Sequence, residues 1–283
     1  MISYYNGQFL QHKNIAISPD DRGFLMGDGV YEVIRSYNGH LFERDAHIER
    51  LKNGASALQF NISKFNEIEN IVHQLILRND LSQRDATIYI QVTRGVAKRS
   101  HQFPPLDTPL TIYATAQLFT PKSIDMEVGI SGALYPDVRW SRCNIKSVSL
   151  IVNSMAHQYA IDSGAQEAIF IRDGYLTEGA HTNVLLVKNN TIITPPATNF
   201  ILAGITRKVI LSLCRIHNIS AEERSVAEHE LFSADELIVV GTTVEITPVI
   251  KLNNQPINNC QPGPITKRLQ RLYNDMILLN LKN

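Results

Sequence analysis

Lys146 ends the stretch Arg139-Trp140-Ser141-Arg142-Cys143-Asn144-Ile145-Lys146 and stands before an apolar run holding Val148, Leu150, Ile151 and Met155. Burial penalises an ammonium, and only the neutral amine attacks an aldehyde, so this setting suits Schiff-base chemistry. Taken alone, a lysine at a helix start reads as a surface residue, because most lysines are exposed.

Four further segments have chemical potential of their own. Glu178, in Leu176-Thr177-Glu178-Gly179-Ala180-His181-Thr182-Asn183, is a carboxylate between a hairpin and an apolar strand. Such a group beside a pyridine nitrogen keeps that nitrogen protonated and makes the ring an electron acceptor. Leu202-Ala203-Gly204-Ile205-Thr206-Arg207 opens a helix, where free N–H groups cradle phosphate, although Thr206 reads equally as an ordinary N-cap. Gly241-Thr242-Thr243 follows a strand and offers hydroxyls and N–H groups to an anion. Thr93-Arg94-Gly95-Val96-Ala97-Lys98-Arg99-Ser100-His101 reads as a solvated basic loop or, functionally, as a carboxylate trap with Arg99 as a planar donor fork. Each segment alone favours its ordinary structural explanation.

Other chemistries find no support. The sequence has no G-x-G-x-x-G after a strand, no G-x-x-x-x-G-K-[ST], no H-E-x-x-H and no G-x-S-x-G. The nine histidines are scattered and suggest no metal site. Lys plus Arg and Asp plus Glu both number 27, so no net charge draws the chain to nucleic acid or to an anionic membrane. Three separated cysteines fit a reducing compartment. Without a signal-like start or a spanning apolar run, a cytoplasmic protein is expected.

The elements that would position these groups are strands and helices without a βαβ rhythm, hence an α+β protein. Asn6-Gly7 and Asn38-Gly39 mark hairpins. Helices are expected over 44–58, 61–77, 147–163 and 206–217 and after Pro264, with strands over 87–93, 110–115, 126–130, 168–171, 184–187 and 237–240. Proline and small polar residues near Phe119-Thr120-Pro121 suggest a smaller N-terminal domain, 1–119, and a larger C-terminal domain, 120–283, carrying Lys146.

Taken in order, these segments resemble the class IV aminotransferases, which use pyridoxal 5'-phosphate (PLP), over nearly the whole chain. The resemblance implies a two-domain fold with PLP at the domain interface. It implies Lys146 as the Schiff-base lysine and proton shuttle, and Glu178 on the pyridine nitrogen. Arg50, Ile205, Thr206 and Thr242 or Thr243 would take the phosphate, and Leu202 would pack on the ring. Arg139 would support the site. Asp28-Gly29-Val30-Tyr31-Glu32-Val33 and Arg99-Ser100-His101 are similar to the D-amino-acid branch, where Tyr31, Arg99 and His101 would hold the substrate carboxylate. Transamination of a D-amino acid with a 2-oxo acid, in a homodimer, is the implied activity. A branched-chain L-aminotransferase and an aminodeoxychorismate lyase are the alternatives within the family. A PLP-binding homologue without catalysis and a purely structural protein lie outside that activity. Gly179-Ala180-His181-Thr182 departs from the serine-rich run of the D-amino-acid branch, so hydroxyl contacts are not carried over to it.

Overall fold

The computed structural model describes residues 1–281. The chain divides into two units. The first comprises Met1–Thr120, Ile145–Ser149 and the C-terminal residues from Asn280; the second comprises Pro121–Asn144 and Leu150–Leu279.

In the first unit, β1 (Ile2–Tyr5) and β2 (Gln8–Gln11) form a hairpin around Asn6 and Gly7, both at positive φ. A short helix α1 (Arg22–Met26) leads into β3 (Gly29–Tyr37), which turns through Asn38-Gly39 into β4 (His40–Leu41). Two helices follow, α2 (Arg44–Ala57) and α3 (Ile68–Arg78), then β5 (Ala86–Thr93) and β6 (Thr111–Leu118). The strands make one antiparallel sheet in the order β2-β1-β6-β5-β3-β4. Its core joins Ile34, Ile88 and Ile90 of the strands to Leu51 of α2 and Ile68, Ile71 and Leu75 of α3. Each such side chain contributes about 1.5–3 kcal/mol on burial. The expected single helix over 61–77 is instead a 3-10 turn, Ile62–Glu67, followed by α3.

Lys146 lies in this unit, not in the C-terminal part to which the sequence reading assigned it. The reason is backbone pairing. Tyr31 N donates to Lys146 O at 3.0 Å, Val148 N donates to Gly29 O at 3.0 Å, and Val30 and Ser147 form an antiparallel bridge. Ile145 is buried in the same apolar cluster as Val30. Strand-like bonding therefore claims 145–148, and the helix expected from Ser147 begins only at Ile151.

The second unit opens with α4 (Ser123–Val128) and β7 (Ile130–Pro136). The strand expected over 126–130 is thus a helix end and a strand start, separated by Gly129 at φ +89°. After α5 (Ile151–Asp162) come β8 (Glu167–Arg172), β9 (Tyr175–Gly179), β10 (Asn183–Lys188) and β11 (Thr191–Thr194). Then follow α6 (Ile205–Ile216), β12 (Ala221–Glu223), α7 (Glu228–Phe232), β13 (Glu236–Gly241), β14 (Glu245–Leu252), β15 (Gln255–Pro256) and α8 (Pro264–Asn280). The sheet runs β12-β11-β10-β13-β14-β7-β8-β9, with β15 beside β14. It is mixed, with parallel pairs at β11–β12, β14–β7 and β7–β8. Mixed pairing with helices between is the α+β architecture expected.

Candidate active site

In the first unit strand β3 carries Tyr31 and Glu32 on opposite faces, as period-two alternation requires. Lys146 Nζ lies 4.4 Å from the centre of the Tyr31 ring, an arrangement that suits either an ammonium or a packed amine. Tyr31 stacks in turn on Tyr89, with ring centres 5.7 Å apart.

Glu32 is fully buried and is held by α2. Arg50 Nε and Nη2 donate to its two oxygens at 2.6 and 2.9 Å, and His47 Nδ1 lies 2.8 Å from Oε2. Burial opposes ionisation of Glu32. The Arg50 charge and the His47 and Arg50 hydrogen bonds outweigh it and hold the carboxyl at about 2. His47 therefore donates through Nδ1. Burial, the largest effect, lowers its pKa, and the Arg50 and Lys146 cations act in the same direction. Glu32 thereby fixes the orientation of the Arg50 guanidinium.

Arg99 and His101 sit exposed on the loop after β5. That loop has a buried anchor: Arg22 and Arg94 share Asp28, at 2.8 and 2.7 Å, and Arg22 Nη1 donates to Ser100 O at 2.7 Å. The backbone between Arg99 and His101 is thus pinned while both side chains project to solvent.

In the second unit Glu178, on β9, is buried among donors. Arg139 Nη1 reaches Oε1 at 2.7 Å, while Asn183 Nδ2 and Leu202 N reach Oε2 at 3.2 and 3.1 Å. Burial still pushes this carboxyl up to about 7, the Arg139 charge and these bonds pulling the other way. Arg139 is itself aligned by a fork–fork pair with Asp137, at 2.9 Å on each side, and lies over the Phe170 ring. Asp137, despite burial, is brought down to about 2 by Arg139, Arg172 and Thr177. A carboxyl that ionises near neutrality and is already braced on two sides fits a partner for a heterocyclic nitrogen.

Leu202 belongs to the same constellation: its N–H bonds Glu178 and its carbonyl accepts from Asn183 Nδ2 at 3.0 Å. Two residues on, Gly204 is the N-cap of α6 and supplies no side-chain cap, so Thr206 is the second helical residue and not the cap. Ile205 and Thr206 begin a twelve-residue helix whose first-turn N–H groups have no intrahelical acceptor, which fits a phosphate. A Cβ on Gly204 would overlap Asn183 Oδ1, so the close approach requires glycine. Thr242 and Thr243 form the turn from β13 to β14, with Gly241 near the backbone of His181 and the Thr182 side chain.

The structure therefore joins Tyr31 to Lys146, and Glu178 to Arg139 and Leu202. It adds Glu32, His47, Asp137 and Asn183, which the sequence reading did not single out. A signal for Glu32 existed: it shares a strand face with buried Val30 and Ile34, where an acid demands a partner, and His47 and Arg50 are one helical turn apart.

The Amino-transferase class IV family matches residues 29–252. A D-alanine aminotransferase from Bacillus licheniformis is 42% identical over 97% of this chain and 96% of its own length. Among solved structures, the Escherichia coli branched-chain amino acid aminotransferase superposes with a TM-score of 0.88 at 26% identity, covering 95% of this chain and 92% of that one. A Mycobacterium tuberculosis aminotransferase in PLP-bound form shares the fold, with a TM-score of 0.85 at 20% identity over 97% of this chain and 98% of that one.

Proposed function

Because the chain belongs to the class IV aminotransferase family, we propose that it uses PLP to exchange the amino group of a D-amino acid, such as D-alanine, with the oxo group of a 2-oxo acid, such as 2-oxoglutarate. The observation that carries the choice of substrate is the 42% identity to a D-alanine aminotransferase across almost the full length of both chains. The exchange is redox-neutral overall: the amino acid gives up two electrons and the 2-oxo acid takes them.

PLP, when bound, supplies an aldehyde that captures amines and a ring that draws electrons from Cα. Lys146 is the covalent anchor for the aldehyde. Once free of the aldehyde, its amine would take the substrate Cα proton and hand it back, the role of a general base and acid. Tyr31 limits where that amine can point. Glu178 holds the proton of the ring nitrogen, and Arg139 and Leu202 fix its position. Leu202 would also pack on the ring. The groups proposed for the phosphate are Arg50, oriented by Glu32, in the first unit and, in the second, the first turn of α6 at Ile205 and Thr206 and the turn at Thr242 and Thr243. Tyr31, Arg99 and His101 hold the substrate carboxylate, which sets the Cα hydrogen toward Lys146.

A branched-chain L-aminotransferase is the second reading, favoured by the superposition on the E. coli enzyme. Rates with D-alanine and with L-leucine, each paired with 2-oxoglutarate, separate the two; faster turnover of L-leucine rejects the D-specific reading. Lys146→Ala is expected to lower turnover by a factor of about 10²–10⁴ or more. Near-normal turnover in that variant would remove Lys146 from the mechanism.

No described helix is long and apolar enough to cross a membrane. Ile151, Met155 and Tyr159 are exposed at helical spacing on α5, and this apolar stripe supports a homodimer. Sedimentation at two concentrations tests it; a monomer at both rejects it.

A further inference from the structure

Apart from the groups assigned above, α5, β8 and the β9–β10 turn of the second unit bring His157, Glu167 and His181 together. One ligand-type atom from each lies within 4.8 Å of the others. They face a cavity of about 110 Å³ that is also lined by Asp125, Gln166 and Thr243.

The His181–Glu167 pair has a spacing compatible with a shared ion. His181 Nδ1 and Glu167 Oε2 are 3.2 Å apart. Two ligands on one tetrahedral ion, each bonded at about 2.0–2.1 Å, are separated by about 3.3 Å. The His157 and His181 rings are perpendicular, with centres 5.3 Å apart. Two imidazoles bound to a common tetrahedral ion place their ring centres about 5.2 Å apart, against about 4.5 Å for neighbouring octahedral positions. The spacing is also that of an ordinary edge-to-face ring pair, so it is the carboxylate of Glu167 shared with the rings that singles the group out.

The hydrogen bonding bears on two of the ligands, Glu167 and His157. Glu167 Oε1 accepts from Ala168 N and Ala180 N, both at 3.0 Å. That leaves Oε2 as the oxygen turned to the His181 ring, with only the Thr182 hydroxyl, at 3.2 Å, also donating to it. One carboxylate oxygen anchored by the backbone while the other meets the ion is the usual outer-shell arrangement of a metal ligand. His157 Nδ1 is buried and has no hydrogen-bond partner among the described residues. Two imidazoles and one carboxylate with an open fourth position suit zinc. Copper, which binds nitrogen ligands more tightly, prefers tetragonal geometry. Asp125 on the same cavity offsets part of the charge.

We propose that His157, Glu167 and His181 form a tetrahedral binding site for a zinc-class divalent cation, with its fourth position open to the cavity. Occupancy would clamp the Gly179–Thr182 turn to α5 and β8. This site does not depend on the proposed transamination.

The test uses the PLP-loaded enzyme, freed of metal, mixed with zinc and gel-filtered before metal analysis. About one zinc per chain is expected to remain. His181→Ala, a change at a half-exposed turn residue, and His157→Ala should each reduce retained zinc to background. His73→Ala, at an exposed position on α3, should leave it unchanged. Cobalt in place of zinc should give the intense visible bands of a tetrahedral ion in the wild type and in His73→Ala only. Failure of the wild type to retain zinc overturns the proposal. So does equal retention in His181→Ala and His157→Ala, or a weak octahedral cobalt spectrum. Because none of these readouts involves turnover, they stand whatever the substrate proves to be.

Discussion

Replacing Glu178 by glutamine in PLP-free protein should change how stability depends on pH, by an amount the structure sets. Glu178 is buried, and its folded value of about 7 lies above the 4.5 of an unperturbed glutamate. Between those values the folded chain binds more protons than the unfolded one, so stability falls as pH rises through that window. The slope approaches about 1.4 kcal/mol per pH unit, and the shift amounts to about 3 kcal/mol of lost stability above neutrality. The glutamine side chain has no proton to lose. It carries a pH-independent cost, because Asn183 Nδ2 and Leu202 N both point at one carboxylate oxygen and Arg139 at the other, and only one of these acceptors survives. Glu167, also pushed up to about 7 by burial, titrates equally in both proteins and cancels in the difference. Urea unfolding of wild type and Glu178→Gln at several pH values from about 4.5 to about 8 gives the difference directly. The variant should gain on the wild type by about 3 kcal/mol across the window. A flat difference would show that Arg139 keeps Glu178 ionised throughout, and the assignment of a near-neutral carboxyl would fall. A difference of opposite sign would do the same.

Arg50→Ala strips the main counter-charge from fully buried Glu32 and should cost about 3–5 kcal/mol in urea unfolding; adding Glu32→Gln should recover part of that loss, and strict additivity would show that the pair is not coupled. Glu32 and Asp137, both held at about 2, have folded values below their unfolded ones, so they contribute stability that is present above about pH 4.5 and lost as pH falls toward 2. Acid titration followed by circular dichroism should show the wild type surviving to lower pH than Asp137→Asn. Gly204→Ala displaces Asn183 and should cost about 1–3 kcal/mol while weakening PLP retention on gel filtration; retention equal to wild type would argue against the first turn of α6 as a phosphate site.

Long apolar-periodic segments were legible in the sequence because local pattern and tertiary packing agree there. α2, α6 and β5 fall within a residue or two of their expected ends. Two of the errors arose where something other than apolar pattern decides, a tertiary backbone bond in one case and a glycine conformation in the other. Ser147 and Val148 have helix-compatible neighbours, but the Gly29 carbonyl and Val30 backbone bind them as an added strand. Met126–Ile130 alternates like a strand, yet Gly129 at positive φ splits it. Of the candidate site, Lys146 and Glu178 were legible only when the segments were taken together in order, because each alone reads as an ordinary charged residue beside an apolar run. Asp137 and Asn183 were not singled out because their importance lies in what they orient, and orientation is a three-dimensional property. The His157–Glu167–His181 group joins a helix residue, a strand-end residue and a turn residue whose sequence separations carry no metal-ligand period.

The short stretch from Ile145 to Ser149, inserted beside β3 from beyond Thr120, has a consequence for biosynthesis. When Thr120 leaves the ribosome, Gly29 and Tyr31 still lack the backbone partners that complete them. Those partners are polymerised about 30 residues later, a delay of roughly 1.5–6 s at ordinary elongation rates. The N-terminal portion thus waits, nearly assembled, with one edge of its sheet open to a stranger. A gene fragment stopping at Thr120 would make that wait permanent, and its product is expected to pair with other chains through the open edge. Lys146, proposed above as the covalent anchor, therefore also supplies backbone that completes the sheet of its own unit.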